Sequence, residues 1–173
     1  IIALSSISAG SALADTTTTQ ATASVVQAAV VTVTGLNFGI LNVTGAGSAT
    51  LAPGGAVSTT GGYTASGSPA QGVATISTSS GTVDITVALA DLAGTAVADT
   101  LDATGLSVTG PGAAITGAAT AAAGSVTAAV TGSTLGGAAT TANLNIGASV
   151  SDGGTQPLVG TYQGTLTVTV NNS

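Results

Sequence analysis

Two stretches decide the fold class: Thr82-Val83-Asp84-Ile85-Thr86-Val87-Ala88-Leu89 and Thr165-Leu166-Thr167-Val168-Thr169-Val170. Bulky apolar residues fall on every second position in both, which is the side-chain period of an extended strand. Val83, Ile85, Val87 and Leu89 share one face of the first, with Asp84 and Thr86 on the other. Leu166, Val168 and Val170 oppose Thr165, Thr167 and Thr169 in the second. Both read as half-buried strands with a polar outer face.

The same reading extends along the chain. Ala21–Thr34 forms the longest run rich in β-branched residues, which favour strand over helix. Further strands are expected at Leu36–Leu41, Ser48–Ala52, Val57–Ala65, Gly72–Thr78, Leu106–Thr109, Ser125–Thr131, Ala142–Val150 and Gly164–Val170. Pro53-Gly54-Gly55, Gly61-Gly62, Gly110-Pro111-Gly112, Gly136-Gly137 and Gly153-Gly154 mark turns between them. Ala118–Ala123, between Gly117 and Gly124, is too short to hold a helix. Short strands separated by frequent turns predict an all-β sandwich or barrel.

Composition sharpens this. The chain has 173 residues and carries no Lys, Arg, His, Cys, Met, Trp or Glu; its six acidic groups are all Asp, giving a net charge of −6. The hydrophobic fraction is 44%, mostly Ala and Val, and only Phe38, Tyr63 and Tyr162 are aromatic. Such side chains fill a thin core, as between two closely packed sheets. General acid–base catalysis needs a group titrating near the working pH, and a Ser or Thr nucleophile needs a base beside it. With no imidazole, amine or thiolate, the expectation is that the chain is not an enzyme. Zinc, copper, haem and iron–sulfur centres lack their ligands, so no cofactor is expected. Nucleic acid is excluded as a partner because phosphate binding depends on Lys and Arg, and anionic membrane surfaces are excluded for the same reason. A chain without Lys or Arg offers trypsin no cleavage site, which suits an extracellular location. Without Cys, stability must come from hydrogen-bonded sheet and assembly rather than disulfides.

Residues Ile1–Ala14 have two readings. Ala12-Leu13-Ala14 resembles the small-x-small end of a secretory signal, and the stretch is too short to span a bilayer. The favoured reading is a retained arm. In extended form Ile1, Ala3, Ile7, Ala9 and Leu13 lie on one face, with Ile1, Ile7 and Leu13 as knobs. An open sandwich has an unpaired sheet edge that must be covered, and a strand donated by a neighbouring subunit covers it. The contact is head-to-tail, so it propagates a fibre. The expected organisation is an N-terminal extension over residues 1–20, serving as donor strand and linker, and a single β-sandwich domain over residues 21–173.

Leu36-Asn37-Phe38-Gly39 follows a Val/Thr-rich strand, and Leu144-Asn145-Ile146-Gly147-Ala148-Ser149-Val150 leads to Gly160-Thr161-Tyr162-Gln163-Gly164-Thr165-Leu166-Thr167-Val168-Thr169-Val170. Together these resemble a bacterial secreted β-domain family of unknown function, similar in layout to spore-coat-like and chaperone–usher-type pilins. The resemblance runs from Ala21 to Val170, with its middle matched by composition only. It implies an immunoglobulin-like or jelly-roll β-sandwich and a role in assembly. The arm departs from those pilins in its residues.

Other candidates have plainer explanations. Asp91, Asp99 and Asp102 share a loop-rich stretch but lack any calcium-loop spacing, so solvated carboxylates are the favoured reading. Asn42-Val43-Thr44 and Asn171-Asn172-Ser173 match the N-glycosylation pattern, Asn42 being the better placed. Phe38 and Tyr162 are expected to pack. The functional expectation is a subunit of an extracellular, cell-surface filament, a helical homopolymer of copies of itself. It has no membrane span, and an assembly chaperone or outer-membrane machinery would be a further partner. The alternatives are a monomeric adhesin or surface-layer module and, third, an ice-binding protein.

Overall fold

The structure, a computed structural model, describes residues 29–78, 82–110, 113–115, 120–122, 124–134 and 140–172. The arm with Ile1, Ala3, Ile7, Ala9 and Leu13 lies outside them, as does the first part of the run expected over Ala21–Thr34. The described strands are β1 (Val30–Thr34), β2 (Ile40–Leu51), β3 (Val57–Ser66), β4 (Gly72–Thr78), β5 (Thr82–Ala90), β6 (Leu92–Gly94), β7 (Thr100–Gly110), β8 (Ala113–Ile115), β9 (Thr120–Ala122), β10 (Ser125–Thr134), β11 (Thr140–Ser151), β12 (Tyr162–Gln163) and β13 (Leu166–Asn172). All their pairings are antiparallel. The chain is all-β, as its alternation predicts.

The larger sheet runs β1-β4-β11-β7-β6-β12, with the β2–β3 hairpin also joined to β11 and β8 to β7. The smaller sheet runs β13-β5-β10-β9. Strand β7 packs against β10 and β5, and β1 packs against β13, so the two sheets face each other. One apolar cluster fills the space between them: Ala142, Leu144, Ile146, Ala148 and Val150 of β11 and Val83, Ile85, Val87 and Leu89 of β5 all belong to it.

Alternation places these residues, and bulges preserve it where it would fail. On β7, Leu101 and Ala103 are buried, but so are Leu106 and Val108, which lie on the opposite phase. The register against β11 slips between Ser149 and Val150, leaving Thr104 without an opposite residue. That extra residue turns the second half of the strand by one position and keeps both pairs inward. A second irregularity lies between Val43 and Gly47 of β2, opposite Tyr63 and Gly61 of β3. Here the two backbones nearly touch. A Cβ on Gly47 would strike the Thr60 carbonyl oxygen, and one on Gly61, whose φ is 64°, would strike that of Ala46.

The structure corrects several expected boundaries. Leu36–Leu41 is not one strand: Asn37 forms an isolated bridge to Ala70, and β2 then runs unbroken from Ile40 through the stretch expected to be loop. Gly47 serves the irregularity in that stretch. Gly164–Val170 does not begin as expected, because Tyr162–Gln163 pairs with β6 of the larger sheet and β13 starts at Leu166 in the smaller one. The chain changes sheets at Gly164, where a Cβ would press on the Ala90 carbonyl oxygen.

Ile146 is fully buried at the middle of β11, whereas Val159 is 99% exposed. Replacing Ile146 by Ala should lower unfolding free energy in urea by about 2–5 kcal/mol. Val159→Ala should change it by less than about 0.5 kcal/mol.

Candidate functional site

Strands β1 and β13 end their respective sheets, and each pairs with one strand only among the described residues. Because the sheets are stacked with β1 against β13, the two free edges fall on the same side of the molecule. Beside them opens a cleft of about 420 Å³. Val33, Gly35, Leu36 and Phe38 line it together with Leu89, Leu92, Tyr162, Gln163, Gly164 and Leu166. The lining is mainly aliphatic and aromatic and carries no charged side chain. On β1, Val30 is 56% exposed, and Val33, which lines the cleft, is 41% exposed. Apolar side chains on an edge strand are unusual in a soluble protein, where Lys or Pro ordinarily discourages pairing.

The wall formed by Tyr162 is held from behind. Its hydroxyl donates to Asp99 Oδ2 at 2.8 Å and also lies 2.6 Å from the Leu158 carbonyl oxygen. Asp99 Oδ2 accepts the Leu158 N–H at 2.7 Å, and its Oδ1 accepts the Thr100 N–H at 2.9 Å. One carboxylate therefore ties the β6–β7 loop to the segment entering β12. The Leu158 N–H, first, and then the Tyr162 hydroxyl and the Thr100 N–H hold the Asp99 carboxyl below its ordinary pKa. Burial, followed by the hydrogen bond and charge of Asp99, pushes Tyr162 up to about 12. Thr95 completes the tie, its N–H donating to the Thr161 carbonyl at 2.8 Å.

Two further carboxylates are also taken up by backbone. Asp91 Oδ1 accepts the Ala103 N–H at 2.8 Å. Asp152, 9% exposed, accepts the Gly47 N–H at 3.1 Å and the Gly154 N–H at 2.9 Å, pinning the β2 bulge to the turn after β11. Beside it, Tyr63 is buried with no hydrogen-bond partner for its hydroxyl among the described residues. Burial and the nearby charge of Asp152 raise it to about 12, but no hydrogen bond of good geometry joins the two.

Of the residues singled out in sequence, Asp91, Asp99 and Asp102 are not brought together. Two of them hold backbone amides and Asp102 is exposed on β7. Among the described residues no three acidic groups converge to hold a metal. Asn42 is exposed on β2, its amide donating to Ser66 Oγ at 3.4 Å, and Asn171 is exposed on β13 opposite Asp84. Phe38 packs in the core, as expected. Tyr162 does more than pack, and the hydroxyl's role was missed. The signal available was its position just after a Gly-containing turn and just before a strand, with Asp99 far away in sequence. Among the described residues no helix is long and apolar enough to cross a membrane. No protein-family model, no curated protein and no solved structure matches the chain.

The folded pKa of Asp99 lies below its unfolded value, so its tie is fully present above about pH 4 and fades as pH falls through the folded value. That of Tyr162 lies above 10.0, so its contribution holds below that pH and is lost as pH rises through about 12. A spectrophotometric titration should therefore show both tyrosines ionising near 12, and Asp99→Asn should move one of them back toward 10.0. Tyr162→Phe should lower stability by about 1 kcal/mol, the usual net worth of one hydrogen bond.

Proposed function

We propose that this chain is a structural subunit of an extracellular filament, in which each subunit donates its N-terminal strand to the next. The observation that carries this reading is the pair of strand edges, β1 and β13, that have no further partner among the described residues and lie on one side of a two-sheet fold. An edge exposes a row of backbone N–H and C=O groups that seek a partner. Two such edges beside a cleft without charged side chains leave room for one more strand, and a chain without Lys or Arg has no cation with which to refuse it. The segment with Ile1, Ala3, Ile7, Ala9 and Leu13 presents its bulk on one face and suits that need. A strand passed from subunit to subunit is heterologous, and such contacts grow without closing.

The finer fold assignment belongs with this proposal. The Tyr162 hydroxyl reaches the backbone of Leu158, four residues upstream, just before the chain enters its last strands. A tyrosine so placed is a hallmark of immunoglobulin-like sandwiches, and supports that architecture over a jelly roll. The composition supports a non-enzymatic, extracellular role, because the chain carries no His, Cys, Lys or Glu.

Electron microscopy of material sheared from native cells, with the chain identified by mass spectrometry after non-tryptic digestion, tests the proposal. Thin uniform fibres containing the chain are expected, together with an intact mass that includes Ile1–Ala14. A chain lacking residues 1–14 should remain folded by circular dichroism and form no fibres. Isolated particles, or normal fibres from the shortened chain, would instead favour a monomeric adhesin or surface-layer module.

A further inference from the structure

Strand β2 is longer than the strand that covers its edge. Its pairing with β11 ends at Ser48, opposite Ser151, while β2 itself begins at Ile40. Beyond that point no strand among the described residues pairs with this edge, and the segment leaving β11 takes over with side chains instead. Ser151 Oγ donates to the Gly47 carbonyl oxygen at 3.3 Å, and Asp152 Oδ2 accepts the Gly47 N–H at 3.1 Å. Gln156 Nε2 donates to the Val43 carbonyl oxygen at 3.2 Å. The far end of the segment is fixed by Asp99, which accepts the Leu158 N–H, and by Thr95, whose N–H donates to the Thr161 carbonyl. Residues 152–161 thus lie as a strap from the β2 irregularity to the β6–β7 loop.

What holds the strap differs from what holds the fold. The sheets are joined by a buried apolar cluster, but in the strap Leu158 is 56% exposed and Val159 99% exposed, and residues 153–156 are exposed as well. Burial contributes little there, so the strap depends on its hydrogen bonds. A segment with few buried apolar contacts opens at lower free energy than the core around it. At each end a carboxylate is the main acceptor. Asp152 takes the Gly47 and Gly154 N–H groups; Asp99 takes the Leu158 and Thr100 N–H groups and the Tyr162 hydroxyl. Hydrogen bonds to an ionised acceptor are about twice as strong as neutral ones. Protonation weakens all of these together, and the chain has no Lys, Arg or His to supply another charged tie.

The titratable groups around the two carboxylates are few. Tyr162 of β12 faces Asp99, and Tyr63 of β3 lies beside Asp152. Asp102 of β7 sits near Gly153, its Oδ2 3.1 Å from where a Cβ on that glycine would stand. Asp84 and Asp91 are placed elsewhere, the first opposite Asn171 and the second on the Ala103 N–H. We propose that residues 152–161 are an acid-released strap, closed over the first half of β2 while Asp99 and Asp152 are ionised and open once they are protonated. Opening bares the β2 edge and gives water access to the buried Tyr63 hydroxyl, which has no hydrogen-bond partner among the described residues. Asp99 sets the direction. Its folded pKa lies below the unfolded value, so its tie is complete above about pH 4 and is lost as pH falls through the folded value. Tyr63 and Tyr162, both pushed up to about 12, stay neutral throughout that range.

Hydrogen exchange of the full-length chain, resolved to single amides by mass spectrometry and corrected for intrinsic rate, tests this. Between about pH 7 and about pH 2.5, exchange at Gly47, Gly154 and Leu158 should rise about tenfold, while Ile146 at the centre of β11 stays protected. Asp99→Asn combined with Asp152→Asn imitates the protonated pair without acid. At neutral pH the double variant should exchange at those three amides as the wild type does in acid, and should lose most of the pH dependence. Equal loosening at Ile146 would make the event global unfolding, and strap amides that stay protected in acid would mean a strap that never opens; either result overturns the proposal. A double variant that answers acid as the wild type does overturns it too, because other groups then carry the response.

Discussion

Strand β11 is hydrogen-bonded along both edges, and the rest of the fold is arranged around that two-sided pairing. Along one edge it meets β7; along the other it meets β4 over its first half and β2 over its second. It is 12 residues long, and Ala142, Leu144, Ile146, Ala148 and Val150 all point into the core. Such a strand cannot slip by one residue without turning its whole apolar face to solvent. The division of its second edge between β4 and β2 splits the larger sheet there, and sends β4 toward the edge strand β1 while β2 carries the hairpin with β3 away from it. Among the described residues, the place of β1 at the edge of the larger sheet is therefore a consequence of how β11 is shared.

A core of Val, Ile, Leu and Ala works here because the sheets can approach closely. Small side chains gain little burial each, about 25 cal/mol per Å² of apolar surface, so the fold depends on many of them being placed inward without exception. This explains the bulges. Thr104 on β7 and the irregularity between Val43 and Gly47 on β2 each absorb a mismatch that would otherwise expose part of the core. Glycine permits the second of these, because the backbones of β2 and β3 come within a distance no Cβ would tolerate.

How much of this was legible in sequence follows from the range of each interaction. Strict alternation identified β5 and most of β13, since one buried face leaves a period-2 signature in local sequence. β2 falls in two separate sequence expectations, Leu36–Leu41 and Ser48–Ala52, because the small residues between them carry no alternation and only the pairing with β3 keeps them extended. The sheet change at Gly164 was invisible for a related reason: Tyr162-Gln163 and Leu166–Asn172 are both extended, and only their partners differ. The free edges, too, are a property of topology that no segment carries by itself. The Asp99–Tyr162 tie joins residues 63 apart, and nothing near either residue announces the other. Sequence did show that the acidic groups lack any metal-loop spacing, but it gave no hint that three of them would hold backbone amides.

Those carboxylates bear on function through what they leave undone. In most proteins an Asp near the surface is balanced by Lys or Arg, and cations on edge strands discourage association. Here Asp91, Asp99 and Asp152 are satisfied by main-chain N–H groups and one tyrosine hydroxyl, so the fold needs no cation to be electrostatically complete. A fold without cations therefore places no charged Lys or Arg in the way of close contact at its edges. The remaining charge of −6 keeps separate copies apart at long range, where salt screens it within about 10 Å, and does little at short range where the edges meet. On the filament reading proposed above, a chain so built would associate at its edges rather than over its faces. That is the behaviour a head-to-tail polymer requires, and one a self-contained monomer would ordinarily suppress.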